Sequence, residues 1–387
     1  MNDISVAIVG SPEDGKYLPM LRDLGDKLCY CYSIGCSRSF IYPAEIAHKM
    51  RFSKIPPRTA YVIKPFLTLL GLPQYLTYWV KVKLFDYMFA YKVKNDESKI
   101  VYTVALLNRT IMSAKKAGKI IVLEAGNSAP QREYDRIIDE YKKYDIKHFY
   151  IYGDSKFKNS REKGLDSADK IINISIVSRQ TYIDAGFDER KLMLIPLTGT
   201  DFPIQPYNAN VGKQKVFITT AFHNFIKGTH RLLLAWQKAK VKNIPLIVVG
   251  QISEDLQEFI DRYGPFDNVK FVGLKSNLKD WYIQYDAVGI LMSFSEGAGR
   301  VTPEMMSFGF PMIVSPDATC DLVKDGFNGY IIEPTNESGL SERLKWFAED
   351  WNRVRELRQN VLNSVSYRSV KDYSMELSKY LQSLISK

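Results

Sequence analysis

Residues able to do chemistry gather in the stretch SFSEGAGRVTPEMMSFGFPMIVS, residues 293–315. It reads as the end of a strand, a glycine-containing turn, a helix and a further strand. Thr302 has the side chain of an N-cap and Pro303 the fixed φ of a first helical residue, so the helix is expected to open there with Glu304 in its first turn. The amides of Gly297, Ala298, Gly299, Arg300 and Val301 then lie ahead of the helical ladder, and such amides, with the helix dipole, favour an anion such as a diphosphate. Gly297 and Gly299 allow backbone to approach that ligand closely. Glu296 and Glu304 have seven residues between them, too many for one helical face, so the turn must bring both to one rim. Acceptor-only carboxylate oxygens suit hydroxyl donors, and sugar hydroxyls are the obvious ones beside a diphosphate. The same residues also admit a plainer reading, with Glu304 compensating the helix dipole and Glu296 a solvated loop acid.

The elements that must hold these groups alternate. ISVAIVG, LCYCYS, KIVYTVAL, KIIVLEAG, KHFYIYGD, KIINIS and KLMLIPL read as strands, separated by amphipathic stretches such as residues 16–27. The polar segment DFPIQPYNANVGKQ, with Pro203 and Pro206, reads as a linker. The alternation restarts with KVFITTA, a helix over about 228–240, IPLIVVG, a helix over about 253–262, VKFVGL, a helix near 276–284 and AVGILMS; from Glu342 onward the period is helical. Strand–helix alternation in two blocks predicts two α/β domains with parallel sheets.

Composition bounds the partners. The chain has 387 residues, 45% hydrophobic and 25% charged, with no run of about 20 apolar residues that would span a bilayer and no basic, apolar leader at MNDISVAIVG. Cys29, Cys31, Cys36 and Cys320 are too few and too poorly spaced for a disulfide framework or a four-ligand zinc site. A cytoplasmic protein is expected. The net charge of +10 is concentrated in residues 1–200, with 31 Lys and Arg against 22 Asp and Glu. Within residues 48–94, nine basic residues and one acid, Asp86, lie among aromatic and aliphatic side chains including Phe66, Leu69, Tyr78 and Trp79. That segment reads either as a helix pair with solvated lysines or as a helix pair resting on an anionic bilayer. Nucleic acid is not expected, because no reader motif accompanies the charge.

The order Lys227-Gly228, Val272-Gly273, Glu296-Gly-x-Gly, Glu304, Gly309-x-Pro311 and Asp325-Gly326-x-Asn328-Gly329 resembles the donor domain of the retaining GT-B glycosyltransferases of family 4. Ala168-Asp169 with Ser175, and Pro196-x-x-Gly199-x-Asp201, resemble that family's interdomain segment. The resemblance implies two Rossmann-like domains facing a central cleft. Residues 1–200 would form the acceptor domain, 201–213 the linker, 214–365 the nucleotide-sugar donor domain, and 366–387 a helix returning to the first domain. It implies that Glu296 contacts the transferred sugar, that the amides of Gly297–Val301 hold the diphosphate, that Glu304 binds the ribose and that Lys227 neutralises the leaving phosphate. Gly15, Asn224 and Leu274 fall at further donor-site positions. No metal and no cofactor are implied, and the donor would be a UDP- or GDP-sugar.

Two departures stand out. The family's arginine a few residues before the lysine is replaced here by Ala221 and Phe222, leaving His223, Asn224 or Arg300 to meet the second phosphate. The family's acceptor-side histidine is missing from KIIVLEAGNSAP, which offers Glu124, Asn127 and Ser128 instead; His48, His148 and His230 read as structural or solvated. The expected activity is retaining, metal-independent transfer of a sugar to a glycan or lipid-linked glycan in cell-surface polysaccharide synthesis. It would take place in the cytoplasm or at the inner face of the membrane, with residues 48–94 as the contact. The rivals are a degenerate non-catalytic partner of an active transferase and a nucleotide-sugar epimerase.

Overall fold

The computed structural model describes residues 3–9, 17–33, 43–52, 55–72, 75–147 and 150–385. The first half runs β1 (Ile4–Ile8), α1 (Tyr17–Leu24), β2 (Leu28–Ser33), α2 (Ala44–Ala47), β3 (Met50–Phe52), α3 (Ile55–Leu69), α4 (Tyr75–Asn95), β4 (Ile100–Thr103), α5 (Asn108–Lys116), β5 (Ile120–Ala125), α6 (Pro130–Lys143), α7 (Ser155–Asp166), β6 (Lys170–Asn173), α8 (Ile176–Asp184) and β7 (Leu192–Leu194). The second half runs β8 (Gln214–Thr220), α9 (Thr229–Ala239), β9 (Leu246–Val249), α10 (Glu254–Tyr263), β10 (Val269–Gly273), α11 (Leu278–Tyr282), β11 (Tyr285–Leu291), α12 (Val301–Met306), β12 (Met312–Val314) and β13 (Gly329–Ile331). It closes with α13 (Glu337–Glu349), α14 (Asn352–Ser364) and α15 (Val370–Ser383).

The strands form two parallel sheets, ordered β3-β2-β1-β4-β5-β6-β7 and β10-β9-β8-β11-β12-β13. Central strands are mostly apolar because helices cover both faces: every residue of β1, β4 and β11 is buried, and the one charge among them, Asp286, pairs with Arg358. In each sheet the winding reverses once, between β1 and β4 and between β8 and β11. Loops diverge there and leave a crevice beyond the carboxyl ends of the strands, the usual ligand position in such sheets.

The chain crosses between domains twice, side by side. Thr200 accepts from the Arg368 amide at 3.0 Å, and a side chain on Gly199, at φ +116°, would lie 2.7 Å from Arg368 Cβ. After the second crossing α15 lays Tyr373, Leu377 and Leu381 into the apolar cluster that holds Met20, Leu21 and Leu24 of α1.

Three local expectations are corrected. The segment KHFYIYGD, of which residues 148 and 149 lie outside the described residues, is no strand: Ile151–Gly153 is a 3-10 turn. Its alternating rings serve a cluster instead, Tyr152 lying 5.7 Å from both Tyr150 and Phe157. The basic segment contains a short parallel strand, β3, ahead of its two helices. Finally, α12 opens at Val301 with Arg300 as N-cap. Thr302 is inside the helix, where its hydroxyl donates to the Ala318 carbonyl at 2.7 Å and so is not free to cap.

Candidate functional site at the domain cleft

The loops after β8 and β11, the two strands at the second sheet's reversal, carry the central pair. Asn224 accepts from the Lys227 amide at 3.1 Å and caps the 3-10 turn Phe225–Lys227. Gly228 follows at φ +65°, where a side chain would stand 1.9 Å from the Met292 carbonyl, so only glycine lets the two loops meet. The Phe294 amide then donates to the Ile226 carbonyl at 2.8 Å. This closure sets Lys227 Nζ 2.6 Å from Glu296 Oε1, and the Ser293 hydroxyl donates to the same oxygen at 2.6 Å. Glu296 is buried and Lys227 partly exposed, so the lysine can turn to an anion while the carboxylate keeps a hydroxyl partner.

The next residues form an open anion cradle. Among the described residues, the amides of Gly297, Ala298, Gly299, Arg300 and Val301 have no acceptor within the chain. Gly299 is at φ +58°, which turns the backbone before α12. With six residues, α12 contributes only a short dipole, and the anion preference rests on the loop amides themselves. Gly297 also closes the cleft. Its carbonyl accepts from Ser175 of the first domain, and a side chain on it would lie 2.3 Å from the Gly126 carbonyl. The Ala298 methyl joins Ile174 in the first domain's apolar cluster.

Glu304, in the first turn of α12, is largely buried. Burial pushes its carboxyl up to about 7; Asp201 pushes it further, while Arg300 and Lys279 pull it back. Arg300 lies 3.2 Å from Asp201 and 3.8 Å from Glu304. Leu274, after the left-handed Gly273, is 81% exposed, an apolar side chain with an open face.

Of the three expected stand-ins for the second phosphate contact, His223 and Asn224 are otherwise engaged, while Arg300 is partly exposed and paired much as Lys227 is. His223 is fully buried, its ring nitrogens 2.9 Å from Thr229 Oγ1 and 3.0 Å from the Val249 carbonyl, and burial lowers its pKa to about 4. The Asn224 side-chain oxygen is used for capping, which makes it a positioning residue for Lys227. Arg300 is held by two carboxylates. Gly15 and His148 lie outside the described residues. His230 is buried, stacked 3.9 Å from Phe225 and 2.7 Å from Glu140 Oε2, and His48 caps α2, its amide donating to the Ile46 carbonyl and its carbonyl accepting from Arg51.

On the other wall, the reversal of the first sheet opens a cavity of about 330 Å³ lined by Val9, Val104, Glu124, Asn127, Tyr152 and Arg161, among others. Glu124 accepts from Tyr102 at 2.5 Å and from Tyr373 of α15 at 2.8 Å. The Asn127 side chain donates to Glu133 at 2.8 Å. Ser128 does not reach this cavity: it is fully buried, and its hydroxyl donates to Asp317 of the second domain at 2.8 Å. An expected acceptor contact is thus an interdomain one.

Sequence reasoning missed the side chains that join the domains. Arg132 and Arg136 of α6 both grip the buried Asp317, at 3.0 and 2.7 Å, and Arg136 also donates to the Phe294 carbonyl at 2.9 Å. Glu133 pairs with Arg161 and accepts from Ser295 at 2.7 Å. Glu140 accepts from Arg231 at 2.6 Å, and Tyr141 donates to Asp255 at 2.7 Å. Ile137, Tyr141 and Tyr144 fall at i, i+4 and i+7, so the apolar stripe was legible; that it enters the second domain's core, with Phe225, Trp236 and Phe259, was not. Among the described residues, no three His, Cys, Asp or Glu side chains are grouped to hold a metal ion, and no helix is long and apolar enough to cross a membrane.

Residues 204–363 match the model of the family described as glycosyl transferases group 1. Similar solved structures include HepE of Anabaena in complex with UDP, at 15% identity over 98% of this chain and 100% of that one, with a TM-score of 0.62. Sucrose-phosphate synthase of Thermosynechococcus elongatus matches at 15% identity over 99% of both chains, with a TM-score of 0.67. The pneumococcal O-GlcNAc transferase GtfA, in complex with UDP and GlcNAc, matches at 19% identity over 78% of this chain and 60% of that one, with a TM-score of 0.55. No curated protein sequence matches. Two Rossmann-like domains with parallel sheets, facing one another across a cleft, make this a GT-B fold, and its second domain resembles the glycosyltransferases of that group.

Proposed function

We propose that the protein transfers a sugar, with retention at the anomeric carbon, from a UDP-sugar to a glycan or lipid-linked glycan. The observation that supports this most is the row of unpartnered amides, residues 297–301, beside the Lys227–Glu296 pair. Departure of a nucleoside diphosphate builds negative charge, and fixed amides with a lysine stabilise it where it forms. Glu296 accepts from hydroxyls of the transferred sugar, Glu304 from the ribose, and exposed Leu274 covers a face of the base. The acceptor enters the cavity at Glu124 and Asn127, its hydroxyl attacks from the side of the departing phosphate, and that phosphate takes the proton. Lys227 and the amides fill the role a divalent metal would otherwise have. At the end of α3, Val62, Phe66, Leu69, Leu70 and Leu72 are exposed, which supports contact with the cytoplasmic face of a membrane, where a lipid-linked acceptor resides.

Calorimetry with UDP and GDP, followed by turnover of the matching sugar nucleotides with and without a chelator, tests this reading. UDP binding and chelator-resistant release of UDP are expected. Binding of neither nucleotide overturns it, and turnover restored only by magnesium or manganese overturns the metal-independent form. Because the family's arginine before the lysine is absent from this sequence, a non-catalytic partner is the second reading; it binds UDP without releasing it from any sugar nucleotide. An epimerase returns a changed sugar nucleotide.

A further inference from the structure

A second cavity, of about 860 Å³, lies outside the cleft, between α4, α6 and the start of α7. Its wall is mostly hydrocarbon: Leu76, Trp79, Val80 and Leu84 from α4, with Tyr134 and Ile138 from α6. The volume is within the roughly 300–1,000 Å³ of small-molecule sites. α4 is apolar on two sides. Val82, Phe85, Phe89 and Val93 enter the first domain's core, while the groove residues face a space that no part of the described chain fills. An apolar cavity offers water few hydrogen bonds and favours an apolar occupant.

Two lysines are among the groove residues. Lys83 Nζ lies 4.7 Å above the Trp79 ring, and Lys156 stands at the start of α7. The one carboxylate among the groove residues, Asp154, is turned to the Lys156 amide at 2.7 Å and to Tyr75. The groove also backs onto the cavity of the cleft. Tyr78 and Phe157 line the latter, and Trp79 packs edge-on to Phe157 at 5.9 Å, so a thin aromatic wall separates a polar chamber from an apolar one. α3 packs against α4, with Phe66 and Leu69 exposed.

We infer that this groove binds the hydrocarbon chain of an anionic lipid, with Lys83 and Lys156 at its charged head. Naming that lipid as the acceptor rests on the proposed transferase function; binding of the chain rests on the groove alone. The head then lies beside Trp79, next to the aromatic wall that borders the polar chamber, while the tail stays out of water.

Trp79 makes the test direct, because the other four tryptophans, Trp236, Trp281, Trp346 and Trp351, belong to the second half of the chain. Bromine-labelled dodecyl phosphate, below its micelle concentration, is expected to quench part of the emission, while bromine-labelled butyl phosphate at the same concentration does not. Trp79→Phe should remove that quench. Val80→Glu and Ile138→Glu each place a carboxylate in the groove and should weaken dodecyl phosphate by on the order of tenfold, with melting temperature and UDP affinity unchanged. Equal quenching by both chain lengths, quenching that survives Trp79→Phe, or binding untouched by both glutamates in folded protein overturns the groove. UDP calorimetry on the same samples separates the two readings. Chain binding without UDP binding leaves the groove and removes the transferase; UDP binding with no effect of chain length removes the groove and leaves a transferase with a water-soluble acceptor.

Discussion

Lys227 and Glu296 lie 2.6 Å apart although 69 positions separate them along the chain. Each is delivered by a loop leaving one of the two strands at the reversal of the second sheet, and the contact depends on Gly228 because a side chain there would collide with Met292. The pair stores a cation beside five amides that have no acceptor among the described residues. When a diphosphate draws Lys227 away, Glu296 keeps the Ser293 hydroxyl and gains sugar hydroxyls.

Replacing Lys227 with alanine is therefore expected to weaken UDP binding by about 1.5–3 kcal/mol, the range for hydrogen bonds to charged groups. Calorimetry reads this directly, and unchanged affinity would remove Lys227 from the site. Glu296→Gln should leave UDP nearly unaffected while lowering affinity for the UDP-sugar and turnover.

Gly297→Ala probes the closed cleft. The added carbon would meet the Gly126 carbonyl at 2.3 Å and Ile174 at 2.7 Å, and backbone on one side cannot yield as a flexible side chain would. Overpacking of this kind costs about 1–3 kcal/mol. A lower melting temperature and faster hydrogen exchange at residues 126–128 are expected; a variant as stable and as protected as the wild type would show that the domains do not hold this approach in solution.

Asp317 is buried between two arginines of the other domain. Asp317→Ala should cost about 3 kcal/mol by urea denaturation, at the lower end for a broken buried pair because Arg132 is partly solvated. The double variant Arg136→Ala, Asp317→Ala should lose less than the sum of the single losses. Additive losses would mean that the two side chains do not act on each other.

Glu304 links the site to pH. Its folded pKa is raised from 4.5 to about 7, so the folded chain binds the extra proton, and this group's contribution makes stability fall as pH rises from about 4.5 to about 7, by about 3 kcal/mol in total. Ribose hydroxyls favour the ionised carboxylate. UDP-glucose, whose diphosphate ester stays ionised across this range, should therefore release a proton on binding near pH 6.5, measured as a dependence of calorimetric heat on the buffer's ionisation enthalpy. Glu304→Gln should flatten both effects; proton release of equal size in that variant would assign it elsewhere.

For membrane contact, Lys81 and Lys83 are poor probes, because their ammonium groups lie over the Tyr78 and Trp79 rings and a reversal would also disturb that packing. Phe66→Ser with Leu69→Ser addresses the exposed end of α3 instead and should reduce sedimentation with anionic vesicles at both low and high salt, since salt does not screen the apolar contribution. Wild-type protein that sediments no better with anionic than with neutral vesicles would refute the docking.

The two-sheet architecture was legible because parallel strands covered on both faces leave short apolar runs, and β1, β4, β8 and β11 all follow that pattern. The loop of Glu296 and Gly297 and the helix start that follows it were legible because a turn and a helix start carry local signals. What local pattern could not supply was the partner of each group. Ser128 reads as a free loop hydroxyl until Asp317, 189 positions away, is seen beside it. His223 reads as a spare phosphate ligand until burial and two ring contacts remove it. The two-residue displacement of α12 has the same origin, since Thr302 suits a cap until Ala318 offers its carbonyl.

The apolar stripe of α6 has a consequence for synthesis. Tyr141 and Tyr144 pack on Phe225, Phe259 and Tyr263, so a ribosome must add about 120 further residues after α6 before its face can be covered. At about 5–20 residues per second this takes roughly 6 to 24 s, a window in which a nascent aromatic ridge is available to chaperones. It also means that the two halves are poor candidates for separate expression: cut at the linker, the donor half lacks part of its own interior, and the acceptor half carries that piece on its outside.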